Sequence, residues 1–328
     1  MRAIIYDTDG PDVGVLRAVE LPDPAPGPGE VRVRLVVAGV NPTDWKSRIP
    51  GRRPRPWAWQ VPGHDGAGVI DRVGPGVDPA LVGQRVWVYL AAHGHALGAA
   101  AEYVCLPLGR AVELPDGVPF DVGAGLGVPA LTAHHCLLAD GPVAGRTVLI
   151  TGGAGAVGHV AVQIARHVGA RVITTVSTDE KAAIAATAEP DVLLRYRDPE
   201  HAQQLAAAAP DGIDRVLDVD AAANLATYRG LLNHEAVIAI YAAARPDQEF
   251  AAPVLPMMSV NATVRFMLLY GFPEDRLTAG AEDITSMLRT DGLVPIPTLR
   301  YPLERLDEAH EHVRRGVVGK VLVDIAPA

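Results

Sequence analysis

The chain has 328 residues, 49% hydrophobic and 20% charged, with a net charge of −9 and a pI near 5.6. That length exceeds the roughly 250–300 residues at which a single core stops growing, so two domains are expected, and the composition argues against disorder. The acidic balance disfavours nucleic acid and anionic membrane surfaces as partners, and no run reaches the roughly 18 apolar residues of a membrane span.

In chain order, the N-terminus "MRAIIYDTDGPD" has one basic residue before it turns acidic, unlike a signal peptide, and a cytoplasmic protein is expected. The two cysteines, Cys105 and Cys136, form no CxxC pair, which agrees with a reducing compartment. "MRAIIYD", "EVRVRLVVAGV", "GAGVIDRVG" and "QRVWVYL" alternate or run apolar and predict short strands. Proline- and glycine-rich turns separate them, so residues 1 to about 115 read as an irregular, mostly antiparallel β-domain. "DVGAGLGVPALTAHHCLLAD" predicts a helix with Pro129 as a kink or an early-turn residue.

The composition then shifts to alanine-rich chain with few prolines. "RTVLITGG", "ARVITTV", "DVLLRY", "IDRVLDVD" and "AVIAIYA" predict strands. Between them "AVGHVAVQIARHVG", "DEKAAIAATA", "EHAQQLAAAA" and "NLATYRGLL" predict helices, the pattern of a parallel sheet covered on both faces. "ATVRFMLLYGF" predicts a strand and "GAEDITSMLRTDG" a helix. "PTLRYPL", a helix from Leu306 and "GKVLVDI" follow, and these final strands are expected to return to the first domain.

Gly153, Gly155 and Gly158 form GxGxxG between a strand and a helix, with a second strand a dozen residues on. That context marks a dinucleotide-binding turn. Gly153 would permit the tight turn, Gly155 the approach of a pyrophosphate, and Gly158 the packing of helix on strand. The loop Gly153–Ala154–Gly155–Ala156–Val157–Gly158 is therefore the candidate phosphate cradle. At the end of the second strand an NAD site usually presents Asp or Glu. This chain has Thr175, Val176, Ser177 and Thr178, with Lys181 and Tyr196 nearby, a set that suits the 2′-phosphate of NADPH.

"AGVNPTDWKSRIPG", "VPGHDGAGVIDRVGPGV", "LTAHH", the glycine loop and "AHEHVRRGVVGKVLV" occur in the order and spacing of the medium-chain dehydrogenase/reductase superfamily. The form GVNPxDxKxR resembles its zinc-independent quinone oxidoreductase (zeta-crystallin-like) branch. The resemblance spans essentially the whole chain. It implies an α/β protein with a GroES-like β-rich catalytic domain (1–122 and 262–328) and a Rossmann doubly wound parallel-sheet domain (123–261). It further implies a cleft holding NADPH, a homodimer, and reduction of a quinone or other α,β-unsaturated carbonyl (enone). Cofactor contacts at Asn41, Thr132, Tyr241 and Lys320 follow by the same resemblance.

The alcohol dehydrogenase branch holds catalytic zinc at positions matching Asn41, His64 and Val128. Only the histidine remains, and "YLAAHGHALGAAAEYV" lacks the four cysteines of that branch's structural-zinc lobe, so no metal is expected. His93 and His95 read as a solvated turn. Without zinc, donors must meet the charge that builds on the substrate oxygen. Asn41 is the candidate neutral donor and Lys46 a candidate enolate stabiliser or proton source, with a surface charge paired to Asp44 as the alternative. His64 is either a proton donor or a hydrogen-bonded neighbour of Asp65. Aromatic residues Trp45, Trp57 and Trp59, with Tyr89, Tyr241, Phe266 and Tyr270, either stack a flat substrate or pack the core. Asn233, His234 and Glu235 replace the Pro-Gly-Gly common among relatives. Two other functions stay open: a zinc-free alcohol or aldehyde reductase, and an NADPH-binding protein without turnover.

Overall fold

The computed structural model describes residues 1–8, 10, 14–49, 56–245, 247–290 and 292–326. The basic stretch "GRRPRP" (Gly51–Pro56), which reads either as a solvated loop or as an attractor of an anionic substrate, lies outside the described residues except for Pro56. The chain divides into two compact units, Met1–Val128 with Phe272–Ala328 and Pro129–Gly271.

The first unit begins with a hairpin of β1 (Arg2–Ile5) and β2 (Arg17–Glu20). β3 (Glu30–Val40) is its central strand, followed by the short helix α1 (Pro42–Lys46) and β4 (Asp65–Val73). Then come β5 (Arg85–Val88), β6 (Tyr103–Pro107) and β7 (Ala111–Glu113), and helix α2 (Phe120–Leu138) opens. Period-2 alternation in β3 buries Val31, Val33 and Leu35 completely. Arg32, between them, forms a bidentate pair with Asp71 at 2.9 and 2.7 Å. The division between units falls inside α2, at Val128/Pro129. Proline there removes the N–H that would bond the carbonyl of residue 125.

The second unit is built on a parallel sheet. Its strands are β8 (Thr147–Thr151), β9 (Arg171–Val176), β10 (Val192–Arg195), β11 (Ile213–Asp218), β12 (Leu232–Ile240) and β13 (Thr263–Phe266). They lie in the order β10-β9-β8-β11-β12-β13, every pair parallel. Helices α3 (Ala156–His167), α4 (Asp179–Ala186), α5 (His201–Ala208) and α6 (Ala221–Tyr228) follow the first four strands, and α7 (Val254–Ser259) precedes β13. This is the doubly wound arrangement, with its topological switch between β8 and β11. The core is Leu149, Ile173, Val216 and Ile238 with Leu205, Leu225 and Tyr228 from the helices.

After α8 (Glu274–Thr290), the chain re-enters the first sheet through β14 (Thr298–Pro302), helix α9 (Leu306–Arg314) and β15 (Lys320–Asp324). The sheet order is β14-β15-β3-β4-β5-β7, with β6 also paired to β3. Within it only β14 and β15 run parallel. Trp87 of β5 is fully buried, and its indole N–H donates to Thr285 Oγ1 of α8 at 3.2 Å.

The expected GroES-like and Rossmann folds are both present, with differences at particular elements. "ATVRFMLLYGF" does not return to the first sheet. Thr263–Phe266 extends the parallel sheet beside β12, because its branched residues continue that ladder before a helical turn at Leu269–Gly271 ends it. Helices α1 and α7 carry no helical period long enough to read and were not expected. Glu235 has φ 61°, in the left-handed region that favours glycine. It is exposed there, so the strain lies in the backbone and not in packing. Glu235→Gly is expected to raise stability by about 0.5–1 kcal/mol and Tm by ~2 °C. Glu235→Ala, which keeps the strain, should give no gain. Calorimetric melting of both variants checks this, and an equal shift in the two would remove the backbone explanation.

Candidate functional site

Two polar centres stand out, one in each unit. In the second unit the loop after β8 is folded back on β9, where Gly152 and Gly153 N–H both donate to the Thr175 carbonyl at 3.0 and 3.1 Å. The tight turn belongs to Gly152, whose φ is +76°, and not to Gly153 as the motif spacing suggested. Gly153 is required for closeness: a Cβ there would lie 2.1 Å from Thr174 Oγ1. Gly158 has the same constraint, because its Cβ would lie 2.2 Å from the Gly152 carbonyl oxygen. Helix α3 therefore starts directly against the loop. Gly155 is its N-cap and is exposed, with Ala156 and Val157 half-buried in the first turn. The N–H groups of that turn have no intrahelical acceptors and face the positive end of the helix dipole.

The neighbouring strand completes this centre. Thr151 Oγ1 donates to Asp218 Oδ1 at 2.9 Å and accepts from Val219 N–H at 2.9 Å. Asn224 Nδ2 also donates to Asp218 Oδ1, at 2.7 Å. Asp218 is fully buried, so the carboxyl ends of β8 and β11 are tied together at the switch point. Sequence reading did not single out Asp218; its only signal was an acidic residue ending a strand.

Beyond β9, Ser177 is half-buried and Thr178 caps α4, accepting from Lys181 N–H at 3.3 Å. Tyr196 is exposed and its N–H donates to the Val176 carbonyl. Arg195, also missed, pairs in register with Val176 and bonds Asp179 at 2.5 Å. Thus Ser177, Thr178, Lys181, Tyr196 and the Arg195–Asp179 ion pair are grouped by the chain after β9 and by the end of β10. Thr132 and Tyr241 are half-buried elsewhere in this unit, and Tyr241 N–H donates to the Asp218 carbonyl at 3.3 Å.

In the first unit, Asn41, Asp44, His64, Asp65 and Lys320 are all buried. Asn41 caps α1, and its backbone N–H donates to Asp44 Oδ2 at 2.7 Å. Its side-chain Nδ2 donates to Asp65 Oδ2 at 2.7 Å, and Lys320 Nζ donates to its Oδ1 at 2.7 Å. Asp65 also accepts the Val128 N–H at 2.9 and 3.0 Å. Gly127 makes room, since a Cβ there would lie 2.1 Å from Asp65 Oδ1. Sequence reading found Asn41 and Lys320 but not Asp65, which binds them together.

Lys46 lies at the outer side of α1, its ammonium 5.7 Å from the centre of the Trp45 ring. Asp44, offered as its partner, turns inward to the Asn41 N–H instead. The His64 carbonyl accepts from Ala91 N–H. Tyr89 is a core residue, its hydroxyl bonded to the Gly109 carbonyl. Phe266 is 69% exposed and stacks edge-on with Phe250.

Burial sets the electrostatics of the first centre. Desolvation pushes the Asp44 carboxyl up to about 7, with the Asp65 charge adding to the rise. Asp65 goes up to about 6 for the same reason, opposed by Lys320 and the Asn41 amide. Lys320 is lowered by burial, and the two carboxylates work against that shift. Raised acid pKa values mean the folded state holds these protons more tightly than the unfolded chain. The stabilisation is complete below about pH 4 and is lost as pH rises toward 7. Wild type should therefore lose stability relative to Asp44→Asn across that window, with a slope of at most about 1.4 kcal/mol per pH unit. Denaturant melts of both proteins at several pH values measure it, and parallel profiles would contradict the burial assignment.

Residues 27–116 match the Alcohol dehydrogenase GroES-like domain model and residues 156–284 the Zinc-binding dehydrogenase model. Human quinone oxidoreductase is 28% identical over 98% of this chain and 97% of its own length. A 2-haloacrylate reductase of Burkholderia sp is 38% identical over 56% of this chain and 54% of its own. Mycobacterial Rv1454c, solved in complex with NADPH, has 32% identity and a TM-score of 0.82, covering 99% of this chain and all of that one. With both family models matched in order and full-length similarity on either side of the glycine loop, the chain belongs to the medium-chain dehydrogenase/reductase superfamily, in its quinone oxidoreductase branch.

Proposed function

We propose that the protein is an NADPH-dependent oxidoreductase that reduces a quinone or another α,β-unsaturated carbonyl without zinc. The observation that carries this reading is the loop from Gly152 to Gly158, whose backbone is too close to Thr174 and to itself for side chains at Gly153 and Gly158. That packing sets the exposed Gly155 and the first turn of α3 at the carboxyl end of β8, an arrangement that suits a pyrophosphate. Thr151, Gly153, Ala154, Gly155, Ala156, Val157 and Gly158 would hold it. Ser177, Thr178, Lys181, Arg195 and Tyr196 would take the 2′-phosphate; β9 itself ends in Thr175 and Val176, and the Asp179 carboxylate that follows is paired to Arg195. The mycobacterial relative bound to NADPH supports the same cofactor. When bound, NADPH supplies the hydride.

The chain's own groups must then manage the charge left on the substrate oxygen. Asn41 Nδ2 spends one hydrogen on Asp65 and keeps a second, a neutral donor suited to that oxygen. Lys46, half-buried beside Trp45, would return a proton to the enolate or hydroquinone oxygen. His64 is buried, as Asn41 is, and this reading requires no proton from it. Of the three positions matching the relatives' zinc ligands, Val128 offers no ligating side chain, and Asn41 is committed to Asp65 and Lys320. Zinc, which needs three or four N, S or O ligands, does not fit this set.

A homodimer and a cytoplasmic setting belong to the same reading. β13 is a sheet edge, and Val254, Leu255, Met258, Phe266 and Leu268 on or near it are each at least 63% exposed. Such an edge calls for cover by a second copy. Both cysteines are free and buried, in keeping with a reducing compartment.

Steady-state assays with 1,4-benzoquinone, an enone and a simple aldehyde test the chemistry. NADPH should be consumed with the first two and much more slowly with the aldehyde, and Gly155→Val should weaken NADPH binding by ~10-fold or more. Calorimetry showing no association with NADPH or NADH, or activity that depends on added zinc, would overturn the reading.

A further inference from the structure

A carboxamide has two ends of nearly equal shape, so only its partners decide which way it faces. Around Asn41 those partners are opposite in kind. Asp65, acceptor-only when ionised, receives Nδ2, and Lys320, a pure donor when charged, reaches Oδ1, each at 2.7 Å. Reversing the amide would set donor against donor and acceptor against acceptor. We propose that Asp65 and Lys320 are positioning residues that fix the Asn41 carboxamide in one orientation, so that Lys320 serves hydride transfer through Asn41 and not by gripping the cofactor. The proposal rests on the reading of Asn41 as the donor to the substrate oxygen.

The surroundings hold each member in place. Asp65 is fully buried and takes the Val128 N–H on both oxygens. The space beside its Oδ1 exists only because residue 127 is glycine. Lys320 is 5% exposed, opens β15, and lies 3.9 Å from Asp65 Oδ2. The antiparallel pairing of β15 with β3 sets Val321 opposite Val40, the residue before Asn41. That register delivers the ammonium from the far end of the sequence. Asp44 pins the Asn41 backbone N–H from the other side. A buried ion pair adds little net stability over an apolar pair of the same volume. What this pair contributes is a direction for the amide between its members.

A double-mutant cycle of Asn41→Ala and Lys320→Met, assayed with NADPH and 1,4-benzoquinone, tests it. Each single change is expected to lower kcat by ~10-fold or more, as loss of a donor to a developing oxyanion does, and the double variant to be no slower than Asn41→Ala alone. In Lys320→Met the Kd for NADPH, from calorimetry, should stay within about twofold of wild type. Lys320→Gln, neutral but still a donor, should recover part of kcat. The proposal is overturned if Lys320→Met slows Asn41→Ala by the same factor as it slows wild type. It is equally overturned if Lys320→Met weakens NADPH binding and leaves kcat intact, which would make Lys320 a cofactor ligand. Wild-type kcat in Asn41→Ala would remove the donor reading itself, and this proposal with it.

A readout without turnover guards against variants that fold poorly. The sequence has four asparagines, Asn41, Asn224, Asn233 and Asn261, so asparagine-selective 15N labelling resolves the Asn41 side-chain amide. Its two protons should be widely separated and slow to exchange in wild type and in Lys320→Gln, and should converge in Asp65→Asn. An Asn41 amide unchanged in Asp65→Asn would contradict the clamp.

Discussion

The buried carboxylate of Asp65 is the constraint on which the first unit depends. It gathers the end of β3 through Asn41, the middle of α2 through Val128 and the C-terminal strand through Lys320. These segments are separated by up to about 280 residues, Asn41 and Lys320 being 279 apart. A carboxylate in a dry site is costly unless its oxygens are bonded, so each of these partners is required once Asp65 is there. The glycine at 127 is then required as well. The local chemistry follows: an amide, two carboxylates and an ammonium are held in fixed relation, with pKa values displaced by burial.

The second unit is governed by a different constraint, the closeness of backbone to backbone. Gly158 abuts the Gly152 carbonyl, and the Gly152 and Gly153 N–H groups share the Thr175 carbonyl. The start of α3 is thereby fixed against the ends of β8 and β9. The N–H groups of the first turn of α3 lie at this junction, and the helix dipole favours an anion there. The tie of Thr151 to Asp218 extends this order across the switch point, where doubly wound sheets bind their ligands.

Much of this was legible in the sequence. The strand–helix alternation from residue 147 to 240 has an unambiguous period, and GxGxxG in that frame marks the close-packed turn between β8 and α3. The period failed at "ATVRFMLLYGF", because a four-residue strand, Thr263–Phe266, does not say which sheet it joins; the neighbouring strand decides. The role of Gly152 was hidden because the motif counts from Gly153, while φ is set by the turn. Asp65 escaped notice for a related reason. An acidic residue opening a strand reads as solvated, and only the antiparallel return of β15 brings a lysine and an asparagine to it. Arg195 was similarly silent, its place beside Val176 being a matter of strand register.

The proposed chemistry is hydride transfer to a conjugated carbonyl, with the leftover charge met by a fixed amide. Deuterium transfer measures it most directly. The protein is incubated with NADPH deuterated at the nicotinamide C4, one preparation for each face, and an enone, and the product is analysed by mass spectrometry. The account predicts one deuterium on the former alkene carbon from one of the two preparations only. A protein that binds the cofactor and returns the enone unlabelled would contradict it.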